Sequence, residues 1–181
     1  MTKSFIKADK LAAVLKGLAA LTKDKVYVGI PDGTTERGDD DKAGPMNNAT
    51  LGYIHEHGSP AANIPARPHL IPGIENAQDK ISERFKKAGQ AAMDGKKDKA
   101  RQELEKAGLV AQNSVKNMIA DGDLAPLAES TLRARARRGR KGAKAELESR
   151  ASGNAPDNGN ARPLIDTGQY RNSVTFVIRK E

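Results

Sequence analysis

The sequence predicts an α+β fold: a small, mostly antiparallel sheet covered by helices, with a long helical hairpin and extended loops. Three observations predict it. Residues 25–30 and 173–179 are isolated runs of β-branched and aromatic residues near the two ends of an otherwise helix-patterned chain. Residues 73–93 and 96–120 carry apolar side chains at spacings of three and four, the period of an amphipathic helix. Pro60, Pro65, Pro68 and Pro72 fall within thirteen residues, which predicts an extended stretch closed to a central helix or strand. The 181 residues show no internal repeat and read as a single α+β domain with flexible polar loops at about 32–48 and 149–162.

Each element has a local reason. Leu11, Val14, Leu15, Leu18 and Leu21 predict a helix over 8–22 with one apolar stripe. Val26, Tyr27, Val28, Gly29 and Ile30 predict a strand, stopped by the turn residues Pro31-Asp32-Gly33. A polar loop follows, with an acidic knot of Glu36, Asp39, Asp40 and Asp41 against Arg37. Its spacing is not that of an EF-hand, so it reads as solvated. Residues 49–57 predict a short helix with Leu51, Tyr53 and Ile54 inward and Gly58 just past its end. Ile64 and Leu70 are expected to pin the proline stretch.

In the hairpin, Ile74, Ala77, Ile81, Phe85 and Ala88 share one side of the first helix. Leu104, Ala107, Val110, Ala111, Val115, Met118 and Ile119 lie near one face of the second. Gly89 and Gly95 interrupt the pattern around Met93, and Asp121-Gly122-Asp123 is a turn. Pro126 predicts a helix start, continued by Leu127, Leu132 and Ala134 into an arginine run. Asp166 or Thr167 is expected to cap a short turn of helix. After it, Val174, Phe176 and Ile178 alternate with Thr175, Val177 and Arg179, which is the period of a strand.

Composition narrows the functional classes. Hydrophobic residues are 37% of the chain and aromatics 3%, with no Trp, so the core is aliphatic and modest. The absence of Cys excludes disulfides, thiolate zinc sites, iron–sulfur clusters and a Cys nucleophile. No apolar run reaches the roughly 20 residues of a membrane helix. The start, MTKSFIKADK, has charges where a signal peptide needs an apolar stretch, so synthesis in the cytoplasm is expected.

The net charge is +8, with 13 basic and 11 acidic residues in 1–90 and 18 and 12 in 91–181. Seven basic residues and no acid fall in 133–144: Arg133, Arg135, Arg137, Arg138, Arg140, Lys141 and Lys144. This run reads either as a solvated helix end or as a patch facing phosphates or an acidic protein. It has no aromatic residue to stack on bases, so any nucleic-acid contact would be non-specific and salt-sensitive.

Catalytic signatures are missing. There is no G-x-S-x-G elbow, P-loop or G-x-G-x-x-G. His55-Glu56-His57 is the only histidine cluster, and His at i and i+2 do not share a helix face. A three-His metal site would also need His69, the only other histidine. His55 and His57 are expected as helix-end and packing residues, with no metal, cofactor or enzymatic activity. The acidic loop is the sole candidate centre for the rival reading as a metal-dependent nuclease. A second rival is a basic, non-specific nucleic-acid-binding protein using residues 133–144.

Two stretches carry a resemblance. One is Leu51-Gly52-Tyr53-Ile54-His55-Glu56-His57-Gly58, followed by Ile64-Pro65-Ala66-Arg67-Pro68-His69-Leu70. The other is Arg162-Pro163-Leu164-Ile165-Asp166-Thr167-Gly168-Gln169-Tyr170-Arg171-Asn172-Ser173. Their order and spacing resemble the tailed-bacteriophage neck and tail-completion proteins, the virion-morphogenesis and head–tail-joining group. Pro126-Leu127-Ala128-Glu129-Ser130-Thr131-Leu132 looks like a further element between them. The chain departs from the family pattern at His69, where Phe is commoner.

The resemblance implies a non-enzymatic α+β subunit made in the host cytoplasm and placed in the virion neck or tail. It implies a homo-oligomeric ring, hexameric before dodecameric, between the portal or connector and the tail terminator, sheath or tube proteins, with non-specific contact to genomic DNA. Ile64, Pro65, Arg67 and Pro68, with Asp166, Thr167 and Gly168, would define the fold and the subunit contacts. The basic run is expected at a partner ring rather than at the subunit seam, where its symmetry copies would repel.

Overall fold

The two β patterns pair with each other. In the computed structural model, which describes residues 2–31 and 47–181 with side chains from residue 11 onward, β1 (Asp24–Gly29) runs antiparallel to β2 (Thr175–Lys180). The acidic knot of Glu36, Asp39, Asp40 and Asp41 lies outside the described residues. Helices make up most of the rest: α1 (Thr2–Leu21), α2 (Asn48–His57), α3 (Leu70–Glu75), α4 (Gln78–Met93), α5 (Lys97–Asp121), α6 (Glu129–Arg137), α7 (Lys141–Ala151) and α8 (Gln169–Ser173). The fold is α+β with a small antiparallel sheet, as the periodicities predict. Among the described residues no helix is long and apolar enough to cross a membrane.

The sequence reading treats the chain as one domain. The residues group into two compact units, each discontinuous in sequence. Unit 1 comprises residues 1–29, 74–114 and 175–181; unit 2 comprises 30–73 and 115–174.

In unit 1 the sheet alternates faces as a period of two requires. Val26 pairs with Ile178 and Val28 with Phe176 on the inner face, while Lys25 pairs with Arg179 and Tyr27 with Val177 on the outer face. Phe176 packs on α5 at Gly108, where any Cβ would overlap the ring. α1 packs on α4: Leu18 and Leu21 lie against Ala91, Ala92 and Ala100. The contact surface is made of small residues, and a Cβ on Gly17 would come within 2.7 Å of the Ala92 carbonyl. This close approach corrects the expected stripe, because Leu11 (59% exposed), Leu15 (58%) and Phe85 (43%) stay outside it.

The hairpin turns at Asp94-Gly95-Lys96. Lys96 N–H bonds the Ala91 carbonyl at 2.8 Å and Gly95 N–H the Ala92 carbonyl at 3.0 Å, closing α4 as a Schellman motif does. Arg84 of α4 then pairs with the buried Glu103 of α5 at 3.2 Å. Residues 73–93, expected as one helix, are two: α3 ends at Glu75 and α4 starts at Gln78, with the buried Ala77 between them.

Unit 2 buries Leu127, Leu132, Ala143 and Ala161 together, with Ala136 and Leu147 at the margin. The proline stretch is not extended throughout. It holds a 3-10 turn at Pro60–Ala62, and α3 begins before Pro72. Pro72 falls in the first turn of α3, where its missing N–H would have had no helical acceptor. Pro126 does not start a helix; α6 begins three residues later at Glu129. Tyr53, expected inward, is 69% exposed. α7 runs to Ala151, so the expected loop at 149–162 opens with helix. Its later part is tied down by the buried Glu146, which accepts from Arg150 Nε (2.8 Å), Asp157 N (3.2 Å) and Asn160 Nδ2 (3.2 Å).

Candidate functional site

The motifs that carry the resemblance meet in unit 2. α2 begins with Asn47, whose side chain caps Thr50 N at 2.8 Å. It ends at Gly58, whose φ is +75° and whose Cβ position lies 2.8 Å from Ala66 N; the turn therefore takes only glycine. Asn48, Gly52 and Glu56 form the buried face of α2 at a spacing of four.

Glu56 caps α3 from outside the helix. Its Oε2 accepts from His69 N (2.8 Å) and Leu70 N (2.9 Å), and its Oε1 from Ile71 N (3.0 Å). Those are the orphan donors of the first turn, and the next residue, Pro72, has none to offer. A carboxylate at a helix start also suits the helix dipole. Burial pushes the Glu56 carboxyl up, but the three backbone donors and then the His69 ring outweigh it and hold its pKa below the ordinary value.

His69 is completely buried. Its Nδ1 lies 2.8 Å from the Arg67 carbonyl and 3.3 Å from Glu56 Oε2, and its Nε2 lies 2.6 Å from the Tyr170 hydroxyl. A carbonyl can only accept, so Nδ1 carries the proton and donates. Burial lowers the ring's pKa against the opposing pull of Arg67 and Glu56, which leaves it neutral. Nε2 is then bare and accepts from the Tyr170 O–H. Burial, and then the Glu56 charge, raise the Tyr170 pKa and keep that proton on the phenol. Glu56, His69 and Tyr170 have the residue types of a proton relay, but every polar atom of the set is engaged within the fold. What the arrangement does is join α2, the residue 67–71 segment and α8.

Two arginines extend the join. Arg67 is buried and donates Nε to the Ala125 carbonyl (2.7 Å) and Nη2 to the Pro126 carbonyl (2.8 Å). Arg135 is buried and donates Nη1 to the carbonyls of Arg162 (2.8 Å) and Ile165 (2.9 Å) and Nη2 to that of Pro163 (2.8 Å). Burial lowers both guanidinium pKa values. A planar fork with five N–H donors satisfies several inward-turned carbonyls at once, which a lysine would not do.

The basic run is therefore not one patch. Arg135 is interior. Arg138 Nη2 and Arg140 Nε bind the two oxygens of Asp166 at 2.9 and 2.8 Å. Arg133 pairs with Glu129 one turn earlier on α6, at 2.5 Å. Arg137, Lys141 and Lys144 are exposed, and among the described residues no carboxylate pairs with them.

The remaining expected residues divide. Asp166 is not a helix cap; it is the anchor for two arginines. Thr167 accepts from Gln169 N at 3.3 Å, while Gly168, at φ +83°, is the cap residue of α8. Ile64 is half-buried and bridges to Ser59, whereas Pro65 and Pro68 are exposed. Sequence reading singled out His55 and His57 and passed over the Glu56 between them and Tyr170. The available signal was the spacing of Asn48, Gly52 and Glu56 on one helix face, but a polar and small face does not register as hydrophobic periodicity. A small hollow of about 90 Å³ lined by Arg135, Leu164, Asp166, Thr167 and Tyr170 lies beside the join.

No protein-family model, characterised protein or solved structure matches the chain.

Proposed function

We propose that the chain is a non-enzymatic subunit of a tailed-bacteriophage neck or tail-completion ring, joining the capsid portal or connector to the tail. The observation that supports this best is the hydrogen-bonded meeting of the four sequence stretches on which the resemblance rests. Glu56 and His69 link the first to the second and Tyr170 links the second to the last. Arg67 reaches the Ala125–Pro126 stretch, and Arg135 of α6 holds residues 162–165. Such a join gives a subunit a body that keeps its shape while neighbours are added around it. Most of its buried polar chemistry is spent on backbone carbonyls and amides.

The partners in this reading are further copies of the chain in a hexameric ring, and above and below it the portal or connector and the tail terminator, sheath or tube. The site of action is the virion neck, after synthesis in the host cytoplasm. Native mass spectrometry of the purified chain tests it: a hexamer or dodecamer is expected. A monomer at all concentrations, together with no effect of the chain on the joining of filled heads to tails, would overturn it.

A further inference from the structure

The outer face of the β1–β2 ribbon in unit 1 sets two cross-strand pairs side by side. Lys25 lies opposite Arg179, and Tyr27 opposite Val177. Like charges directly opposed weaken a ribbon. Among the described residues no carboxylate forms an ion pair with either cation: Asp24 lies at the alternate position facing inward, and Glu181, on the same face, accepts from the Tyr27 hydroxyl, which leaves two cations against one carboxylate. Beside the cations, Tyr27 is 45% and Val177 37% exposed. The sheet has two strands, so each strand also has an outer edge without a further strand among the described residues.

The unit that carries the ribbon is basic as well. Unit 1 holds 17 basic and 10 acidic residues, net +7, and unit 2 holds 14 and 13, net +1. The ribbon sits in the unit that is the more basic by sequence. A field of that sign draws an acidic partner toward it.

We propose that this ribbon face is a docking surface for an acidic protein surface on another chain. That partner sets carboxylates against Lys25 and Arg179 and an apolar side chain over Tyr27 and Val177. A protein fits better than a phosphate backbone because an apolar pair bordered by charge is the layout of a protein interface, with its dry centre and polar rim. A phosphate backbone brings nothing apolar to Tyr27 and Val177. The face would bind such a partner whether or not the chain forms a ring.

The test uses the full chain and a fluorescein-labelled peptide alternating Glu and Leu, with polyglutamate of equal charge and a duplex DNA as comparisons. Anisotropy should show the Glu–Leu peptide binding at least tenfold more tightly than polyglutamate. Arg179→Glu sets an anion directly opposite Lys25: it should raise the Tm by about 1–3 °C while weakening peptide binding at least tenfold. Tyr27→Thr with Val177→Thr should make the two peptides equal. Lys141→Gln with Lys144→Gln in unit 2 should leave binding unchanged. Equal binding of the two peptides by the unaltered chain, tighter binding of the DNA than of either peptide, or a fall in Tm for Arg179→Glu would each overturn the proposal.

Discussion

Tyr170 donates its hydroxyl to Nε2 of His69 across 2.6 Å, although 101 residues separate them in the chain. The bond is buried and both partners depend on it: no other protein donor reaches that His69 nitrogen, and the Tyr170 side chain is itself buried. The aromatic rings also meet edge to face at 5.5 Å.

A double-mutant cycle on this pair should show strong coupling. Tyr170→Phe leaves Nε2 buried and unsatisfied and should cost about 1–3 kcal/mol. His69→Phe should cost a similar amount, because the Tyr170 hydroxyl is then orphaned. The double variant should cost clearly less than the sum, since it removes both unsatisfied atoms of this bond and leaves only the Arg67 carbonyl without its His69 donor, as in the single His69→Phe. Urea denaturation of the four proteins checks this; strictly additive costs would mean that the bond contributes nothing of its own.

Acid should loosen the same region in two stages. Burial holds the His69 ring below its ordinary 6.5, so the folded chain binds fewer protons there than the unfolded chain. Its contribution is complete above about pH 6.5 and declines as the pH falls toward the folded-state value. Glu56, despite burial, is held below its ordinary 4.5 by the three backbone donors, so its contribution is present above that value and lost below it. Stability should fall below about pH 6.5 and fall again below about pH 4.5. His69→Phe should flatten the first decline and keep the second. Urea midpoints across this range measure both, and a wild-type profile flat between about pH 7 and 5 would contradict the burial of a neutral ring.

The basic run should respond unevenly to substitution. Arg135→Gln removes the donor to three backbone carbonyls and should cost about 2–4 kcal/mol. Arg137→Gln, two residues away and exposed, should stay within about 0.5 kcal/mol of the parent. Asp166→Asn should cost under about 1 kcal/mol at low salt and less at high salt, as an exposed pairing does. Thermal melts at two salt concentrations separate the three cases. Equal effects of Arg135→Gln and Arg137→Gln would mean that the run acts as one surface after all.

Gly108 should tolerate no side chain while Phe176 is in place. Gly108→Ala forces the Phe176 ring to shift and should cost about 1–3 kcal/mol. Phe176→Leu should cost on its own, through lost packing, yet partly rescue Gly108→Ala by opening room over α5. Chemical denaturation of the single and double variants gives the sign of the coupling; an absent rescue would mean that the two positions are not in contact.

What could be read from the chain alone was whatever depends on neighbours in sequence. The alternation of Val174, Phe176 and Ile178 defines a strand because side-chain direction repeats every two residues, and β2 is where that pattern places it. The spacings of α1, α4 and α5 follow in the same way from the helical repeat. Gly58 marks the end of α2 because the positive φ there is a local demand. Folding in three dimensions decided which charges are interior and which apolar residues are not. Arg135 and Arg137 are alike in sequence, yet one sits inside a ring of carbonyls from residues 162–165 and the other in water. Leu11 and Leu15 belong to a sound helical stripe but stay exposed, because α1 approaches α4 through Gly17 and alanines. Glu56 gives no local sign of its role, because the amides it caps are 13 to 15 residues away and become its neighbours only when α3 is laid beside α2. Periodicity records which way a side chain points, whereas burial and pairing depend on what the rest of the chain brings to meet it.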